Sequence, residues 1–454
     1  MRIVLVVLCL YGLLVIKNKG DDYMRPILFS KIMDFINKVD TEGILVKNIE
    51  SNEVDKGVLA NKYRGLENLI RSAMREHQYP IAEPKTPLQI KKLVTKDSLY
   101  IPSSLGADGF VYGVVEGSNI IWRSNDGMET IEEVEYDFFS EGYYYPYWVT
   151  KTEAGFVVIT GSRYGSASPG PNIGAVFFSE LFDSGYVLKI PFTPNHTPSE
   201  FGITYYHGKA ISEQIILIAE RGFPAEEEEL GKIRGTFDGG RTWRIVSEYG
   251  EVVNSDQNTH FHTCAYDPYR GRIWISRGDG DNGKLLISDD LGSTWREVKP
   301  ENNLGRTKFQ PTLLLPLANN IIFGQDSGFG VGVLKMPIDK TYYNKEEHFS
   351  LVEGALCWDQ KGAASQYPIS SYAVDGNVAY VVMDSTYYGN GKSFVMATGD
   401  GGNTWHTVAG FNYSHVLGRG IIGPDVNGNL YGIWNTTEEP NTTAIFDMIE
   451  WEKK

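Results

Sequence analysis

TFDGGRTW at 236–243, SDDLGSTW at 288–295 and TGDGGNTW at 398–405 are three copies of one eight-residue pattern, and a decayed copy, SNDGMETI, stands at 124–131. Each good copy reads as a small hydroxyl residue, Asp two positions on, a Gly-rich corner, Thr and Trp. This is the chemistry of a hairpin turn. Gly supplies positive φ angles, and an Asp carboxylate accepts hydrogen bonds from turn amides. The closing Trp is expected to pack the turn onto a sheet, so Trp243, Trp295 and Trp405 are expected to be buried.

Outward from these turns the chain repeats. A turn followed by an apolar strand recurs seven times: GFVYGVV at 109, GFVVITG at 155, QIILIAE at 214, GRIWISR at 271, NIIFGQD at 320, GNVAYVV at 376 and GNLYGIW at 428. Successive copies start 46 to 59 residues apart. That period, with strands throughout, is the mark of a β-propeller with one four-stranded blade per unit. The expected fold is an all-β propeller of seven blades over residues 91–454, with six as the alternative count. The seventh unit lacks room for a fourth strand, and a strand near 92–102 is expected to complete it and close the ring.

The turn motif resembles the Asp box, or BNR repeat, of the sialidase superfamily, whose members are β-propellers. The resemblance implies that the Asp boxes lie on the face opposite the site. The stretch from 230 to 330 is similar to BNR-repeat proteins described as glycosyl-hydrolase-like. True sialidases carry a Phe/Tyr-Arg-Ile-Pro motif on the first blade and further Arg that clamp the substrate carboxylate. The first blade here has no such motif, and Arg221, Arg277 and Arg306 form no recognisable triad.

Propeller topology turns the repeat into a map. The first-to-second and third-to-fourth turns of every blade share one face; the second-to-third turns and the blade connections share the other. Strand ends on that second face bring together Glu116, Arg163, Glu220, Arg221, Arg277, Asp279, Asp326, Asp384 and Asn435. The connections add EGYYYPYW at 141–148 with Tyr144 at its centre, NTHFHT at 258–263, RTKFQP at 306–311 with Gln310, and SHVLGRG at 414–420. The densest stretch is 260–282. His260 and His262 are two apart and share one side of a strand. They are candidates to ligate a divalent metal, to act as general base or to bind a sugar hydroxyl, with Asp279 or Asp326 as the third ligand a metal needs. No metal and no cofactor is assigned. The expected ligand-binding set is His260, His262, Arg277, Asp279, Gln310, Asp326, Glu220, Arg221, Asp384 and Tyr144, with His260, His262, Arg277 and Asp279 as the candidates if a bond is cleaved.

Composition narrows the partners. Net charge is −15, which disfavours nucleic acid, and three Cys in 454 residues make no disulfide framework. The first 23 residues hold an apolar run at 3–16, read as a signal or anchor segment or as an upstream artefact ahead of a start at Met24. Residues 24–90 are expected to be helical, either as a helix that caps the propeller or as a helical stalk that trimerises. Leu59, Tyr63, Leu66, Ile70 and Ala73 step by four and three, the seam of a coiled coil, and YPIAEPKTP at 79–87 reads as a stiff linker.

Stalk, Pro-rich link and propeller together resemble receptor-binding tail-fibre proteins of phages that infect Gram-positive bacteria. That resemblance implies a virion-borne or extracellular homotrimer whose propeller binds a cell-surface polysaccharide. The rivals are a glycoside hydrolase or polysaccharide lyase, and an exported, membrane-anchored propeller that binds protein.

Overall fold

The computed structural model describes residues 82–138, 142–161, 174–194, 196–208, 214–222, 231–248, 261–269, 271–277, 284–298, 311–317, 320–325, 333–337, 350–351, 367–374, 378–384, 393–411, 416–434 and 439–453. The seam at Leu59–Ala73 and the apolar run at 3–16 lie outside them. Among the described residues every regular element is a strand.

The strands form seven four-stranded antiparallel sheets and one two-stranded pair. The pair joins β1 (Ala82–Pro84) to the last strand, β30 (Trp451–Lys453), so part of the expected Pro-rich link is strand-paired. β2 (Ile90–Thr95) belongs to the last sheet. Blade 1 is β3 (Tyr100–Leu105), β4 (Val111–Val115), β5 (Ile120–Ser124) and β6 (Glu132–Glu135). Blade 2 is β7 (Pro146–Lys151), β8 (Phe156–Thr160), β9 (Ala175–Ser179) and β10 (Val187–Pro191). Blade 3 is β11 (His196–His207), β12 (Gln214–Gly222), β13 (Lys232–Thr236) and β14 (Arg244–Glu248). Blade 4 is β15 (Phe261–Asp267), β16 (Arg272–Arg277), β17 (Lys284–Ser288) and β18 (Arg296–Val298). Blade 5 is β19 (Pro311–Pro316), β20 (Asn320–Gln325), β21 (Val333–Pro337) and β22 (Ser350–Leu351). Blade 6 is β23 (Tyr367–Val374), β24 (Val378–Asp384), β25 (Ser393–Thr398) and β26 (His406–Phe411). Blade 7 is β27 (Val416–Ile422), β28 (Asn429–Trp434) and β29 (Thr442–Asp447), with β2 as its outer strand.

Each of the seven repeated apolar strands is the second strand of its sheet. The closing strand is β2, which pairs with β29 from Ile90↔Phe446 to Thr95↔Thr442, so the two ends of the propeller meet in one sheet. The expected window of 92–102 overlaps β2 but runs on into β3, the first strand of blade 1.

The core lies between blades. Strand side chains alternate sides, so each sheet presents one apolar face to the blade before it and one to the blade after. Val157 and Ile159 of blade 2 meet Ile216 and Ile218 of blade 3. Leu217 and Ala219, on the other side of β12, meet Cys264 and Ile275 of blade 4. Trp274 meets Leu314 and Phe323, Leu315 meets Val381, and Val382 meets Leu430. Tyr431 and Ile445 meet Val111 and Trp122, and Val114 meets Val158. These seams run round the ring and return to their start. The first strands of successive blades lie against one another, which places them innermost.

Candidate functional site

The repeated turns join third to fourth strands: β5 to β6, β13 to β14, β17 to β18 and β25 to β26. Their internal chemistry is the same each time. In blade 3, Thr236 Oγ1 donates to Asp238 at 2.8 Å, Gly240 N donates back to Thr236 Oγ1 at 2.9 Å, and Thr242 gives its N at 2.9 Å and its Oγ1 at 2.6 Å to the Asp238 carboxylate. Ser288, Asp290, Gly292 and Thr294 repeat this in blade 4. Thr398, Asp400, Gly402 and Thr404 repeat it in blade 6. The decayed copy keeps the whole network: Ser124 donates to Asp126 at 2.9 Å, Met128 N to Ser124 at 3.1 Å, and Thr130 Oγ1 to Asp126 at 2.6 Å. Each corner holds two successive left-handed residues. Gly239 and Gly240 supply them in blade 3, whereas Met128 (φ 61°) and Leu291 (φ 57°) take one such position without being Gly.

Each turn also clasps the preceding blade. Thr152 Oγ1 of blade 2 donates to Gly239 O at 2.7 Å. A Cβ on Gly292 would stand 2.5 Å from Val246 O of blade 3, so only Gly permits that approach. Asn320 Nδ2 of blade 5 donates to Gly401 O at 3.3 Å, and Gly127 N donates to Tyr431 OH of blade 7 at 2.8 Å. The closing Trp residues are half-buried, not buried as expected. Trp243, Trp295 and Trp405 lie along the rims of the seams to blades 2, 3 and 5, and Ile131 takes the same place at the seam to blade 7. A ring covering the edge of a seam keeps one face in water.

On the opposite face the predicted residues fall into three groups. Arg221, His262 and Arg277 all fall at the end of the seam between blades 3 and 4. Arg221 follows Leu217 and Ala219 on the side of β12 that faces blade 4; Arg277 follows Ile273 and Ile275 on the side of β16 that faces blade 3. His262, 6% exposed, is the extra residue of a β-bulge between the pairs Phe261↔Arg277 and Thr263↔Ser276. Its carbonyl accepts from Ser199 Oγ of blade 3 at 2.7 Å. Arg221 is exposed.

Glu220 faces the other way, toward blade 2, and is fully buried. Thr193 Oγ1 donates to its carboxylate at 2.7 Å and Lys232 N at 3.1 Å, and the buried Arg234 guanidinium forms an ion pair with it. Arg234 in turn lies 5.7 Å from the Phe192 ring. Its carboxylate is thus committed within the fold. Tyr144 is half-exposed at the entrance to blade 2, edge-on to Tyr145 with ring centroids 6.5 Å apart. His260, Asp279, Gln310 and Asp326 lie outside the described residues, as does the side chain of Asp384 at the end of β24. Among the described residues no group of three or more His, Cys, Asp or Glu is placed to hold a metal ion.

Every innermost strand breaks register against its neighbour near this face. In blades 1, 2, 4, 5 and 6 a single residue is extra: Ser103, Tyr147, His262, Thr312 and Ile369. In blade 3 four residues, 199–202, stand opposite Ala219, between Pro198↔Glu220 and Ile203↔Ile218. In blade 7 four residues, 417–420, stand opposite Ile433, between Val416↔Trp434 and Ile421↔Gly432.

No family model matches the chain. No curated protein matches it either. Among solved structures it is similar to YCF48 from Cyanidioschyzon merolae, at 11% identity and a TM-score of 0.48 over 79% of this chain and 98% of that one. It is also similar to the GH74 enzyme of Niastella koreensis, at 15% identity and a TM-score of 0.41 over 71% and 47%. A third likeness is to the GH74 xyloglucanase from Xanthomonas campestris, at 12% identity and a TM-score of 0.44 over 71% and 47%. The matched part spans about half the length of those two enzymes. The described residues form an all-β propeller by their own sheet order and ring of seams, and glycoside-hydrolase propellers are among the similar structures at low identity.

Proposed function

We propose that this protein is a glycan-recognising propeller that uses the face opposite its repeated turns. The observation that carries this reading is the division of labour between the faces. The four turn carboxylates are bound within their own turns, and the opposite face carries an exposed Arg221, a part-exposed Arg277 and the half-exposed pair Tyr144 and Tyr145. Guanidinium groups bind sugar hydroxyls and acidic substituents, and aromatic faces stack on sugar rings. The stalk-like sequence at 24–90 and its Pro-rich link support a finer version: a receptor-binding component of a phage particle, homotrimeric through the stalk, holding a cell-surface polysaccharide of its host.

Binding of the intact protein to immobilised cell-surface polysaccharides tests the reading. Arg277→Ala and Tyr144→Ala should weaken retention at least about tenfold, with the melting temperature held. Asp290→Ala should lower the melting temperature and spare binding by the molecules that remain folded. Binding lost through Asp290→Ala in folded protein would reverse the assignment of faces. Release of reducing ends or unsaturated sugars from a bound polysaccharide would move the protein to the hydrolase or lyase class.

A further inference from the structure

The outer strand of each blade is a sheet edge, and an edge is a template for further pairing unless it is charged, short or covered. All three devices occur here. β6 carries Glu132, Glu133 and Glu135, β18 carries Arg296 and Glu297, and β2 carries Lys91 and Lys92. β14 exposes Ile245 but sets it beside Arg244. β22 is two residues long. β26 has no Asp, Glu, Lys or Arg, and it is covered instead: Leu88 N, on the chain between β1 and β2, donates to Val408 O at 2.9 Å.

β10 has none of these devices ahead of its bulge. It is the outermost strand of blade 2, no described strand pairs with its outer side, and its one charge is Lys189, at the bulge between Leu188 and Ile190. Before that bulge Val187 is 59% exposed and Leu188 40%. Val187 pairs with Phe178 and Leu188 with Phe177, which face the seams to blades 3 and 1, so the two side chains emerge on opposite sides of the strand. A strand laid along the edge would cover both, since cross-strand neighbours lie on either side of a sheet.

The turn into β10 departs from the others as well. Ser179 stands where the repeated turns have their first hydroxyl, yet Leu181 takes the position of the Asp. Leu181 N donates to Ser179 Oγ at 3.0 Å, and the Leu181 side chain is 60% exposed. Other residues fasten this turn to blade 1. Phe182 lies edge-on to Tyr112 with ring centroids 5.9 Å apart, and Tyr136 OH donates to Tyr186 O at 3.1 Å. Exposed Glu180 and Asp183 flank Leu181, so the edge is acidic at its turn end.

We infer that the outer edge of blade 2 docks an extended segment of another protein, which adds a strand to β10. Its apolar side chains lie against Val187, Leu188 and Leu181, and a Lys or Arg meets Glu180 and Asp183. A second copy fits this edge poorly. Two propellers meeting along five-residue strands share far less than the roughly 1,000 Å² a stable interface buries, and each carries a net charge of −15. The contact is separate from the polysaccharide face and does not rest on it.

The probes are two short fluorescent peptides with the same run of alternating Val and Thr, one flanked by Lys and the other by Glu, titrated onto the intact protein. The Lys-flanked peptide should bind at least about tenfold more tightly than the other. Its binding should slow hydrogen exchange at residues 187–190. Val187→Lys should lose at least about tenfold in affinity with an unchanged melting temperature, because it charges the edge. Leu188→Lys replaces it if that variant melts lower. Ile245→Lys, on the outer strand of blade 3, should bind like the parent. Glu180→Lys combined with Asp183→Lys should reverse the preference between the peptides. Equal binding of the two peptides by the parent overturns the docking site, as does parent-like binding by Val187→Lys and Leu188→Lys, or an equal loss in Ile245→Lys. So does a parent that binds neither peptide. A parent mass in solution twice that of Val187→Lys puts a second copy on this edge and overturns the foreign partner.

Discussion

On the turn face four Asp carboxylates do one job in four places, each accepting from a Thr amide, a Thr hydroxyl and a Ser or Thr hydroxyl inside eight residues. On the opposite face the blades differ among the described residues. Glu220 is locked between Thr193, Lys232 N and Arg234, Arg221 is open to water, and the inner strands carry one extra residue in five blades and three in two. The first face is repeated because it fastens each turn to the blade before it, a task common to every seam. The second varies because nothing in closing the ring requires its residues to match. Uniform chemistry marks the fastening, and departures from it mark where a ligand can be specified.

Glu220 tests this contrast hardest, because it sits on the variable face but is buried like a fastening. Glu220→Ala strands the Arg234 guanidinium without its partner in a site only 4% exposed. Removal of one member of a buried pair costs about 3–5 kcal/mol. Urea unfolding should show that loss; a change under about 1 kcal/mol would mean the pair contributes little to the fold. Asp400→Ala should come next, at about 2–3 kcal/mol, because Asp400 is 1% exposed and its loss leaves Thr398 and Thr404 donors unmet. Trp295→Ala should cost less, about 1–2 kcal/mol, since a half-buried ring forfeits only part of the burial that a core Trp would.

Acid should weaken the turn face. For Asp290, burial raises the carboxyl pKa, but hydrogen bonds from Thr294, Ser288 and Ser293 outweigh it, and the net value lies below the ordinary one. Asp126 is lowered in the same way by Thr130, Ser124 and Glu129. A group whose pKa is lower in the folded state stabilises it fully above the unfolded value of about 4, and that stabilisation is lost as pH falls through the folded value. Melting temperature should therefore be level at mildly acidic pH and decline below about pH 4. Thr294→Val, which removes one donor to Asp290, should make that decline shallower. An identical acid limb in the variant would remove Asp290 as a contributor.

Local chemistry made the turns and second strands legible in the sequence. The turn network closes within eight residues, and the second strands are apolar on both faces because both face a seam. The same rule made even the decayed turn at 124–131 recognisable, since it keeps Ser124, Asp126 and Thr130. A second set of aspartates went unread. Asp108 accepts from Tyr112 OH at 2.7 Å, Asp267 from Trp274 Nε1 at 3.2 Å and Asp425 from Tyr431 OH at 2.7 Å, each fixing a first-to-second turn. Their spacings of four, seven and six residues hide the kinship. In sequence Glu220 resembles a ligand group because its partners come from two other segments. Only folding brings Thr193 and Arg234 to it. The expansions at 199–202 and 417–420 were invisible for a similar reason: a bulge is a relation between two strands, and neither strand alone records it.

The smallest expected effect on stability is the most informative about function. Arg221 lies one residue beyond Glu220, on the opposite side of β12 and open to water. Neighbours in a strand face opposite ways, so the two residues share a backbone and nothing else. An exposed cation removed from such a place changes stability by no more than about 0.5 kcal/mol. Arg221→Ala should accordingly melt with the parent while Glu220→Ala does not, and it should weaken polysaccharide retention while leaving the turn-face chemistry untouched. The pair separates the two roles within one strand. If Arg221→Ala binds like the parent and Arg277→Ala does not, recognition lies on the blade 4 side of the seam; if both bind like the parent, the seam of blades 3 and 4 is not where this propeller meets its ligand.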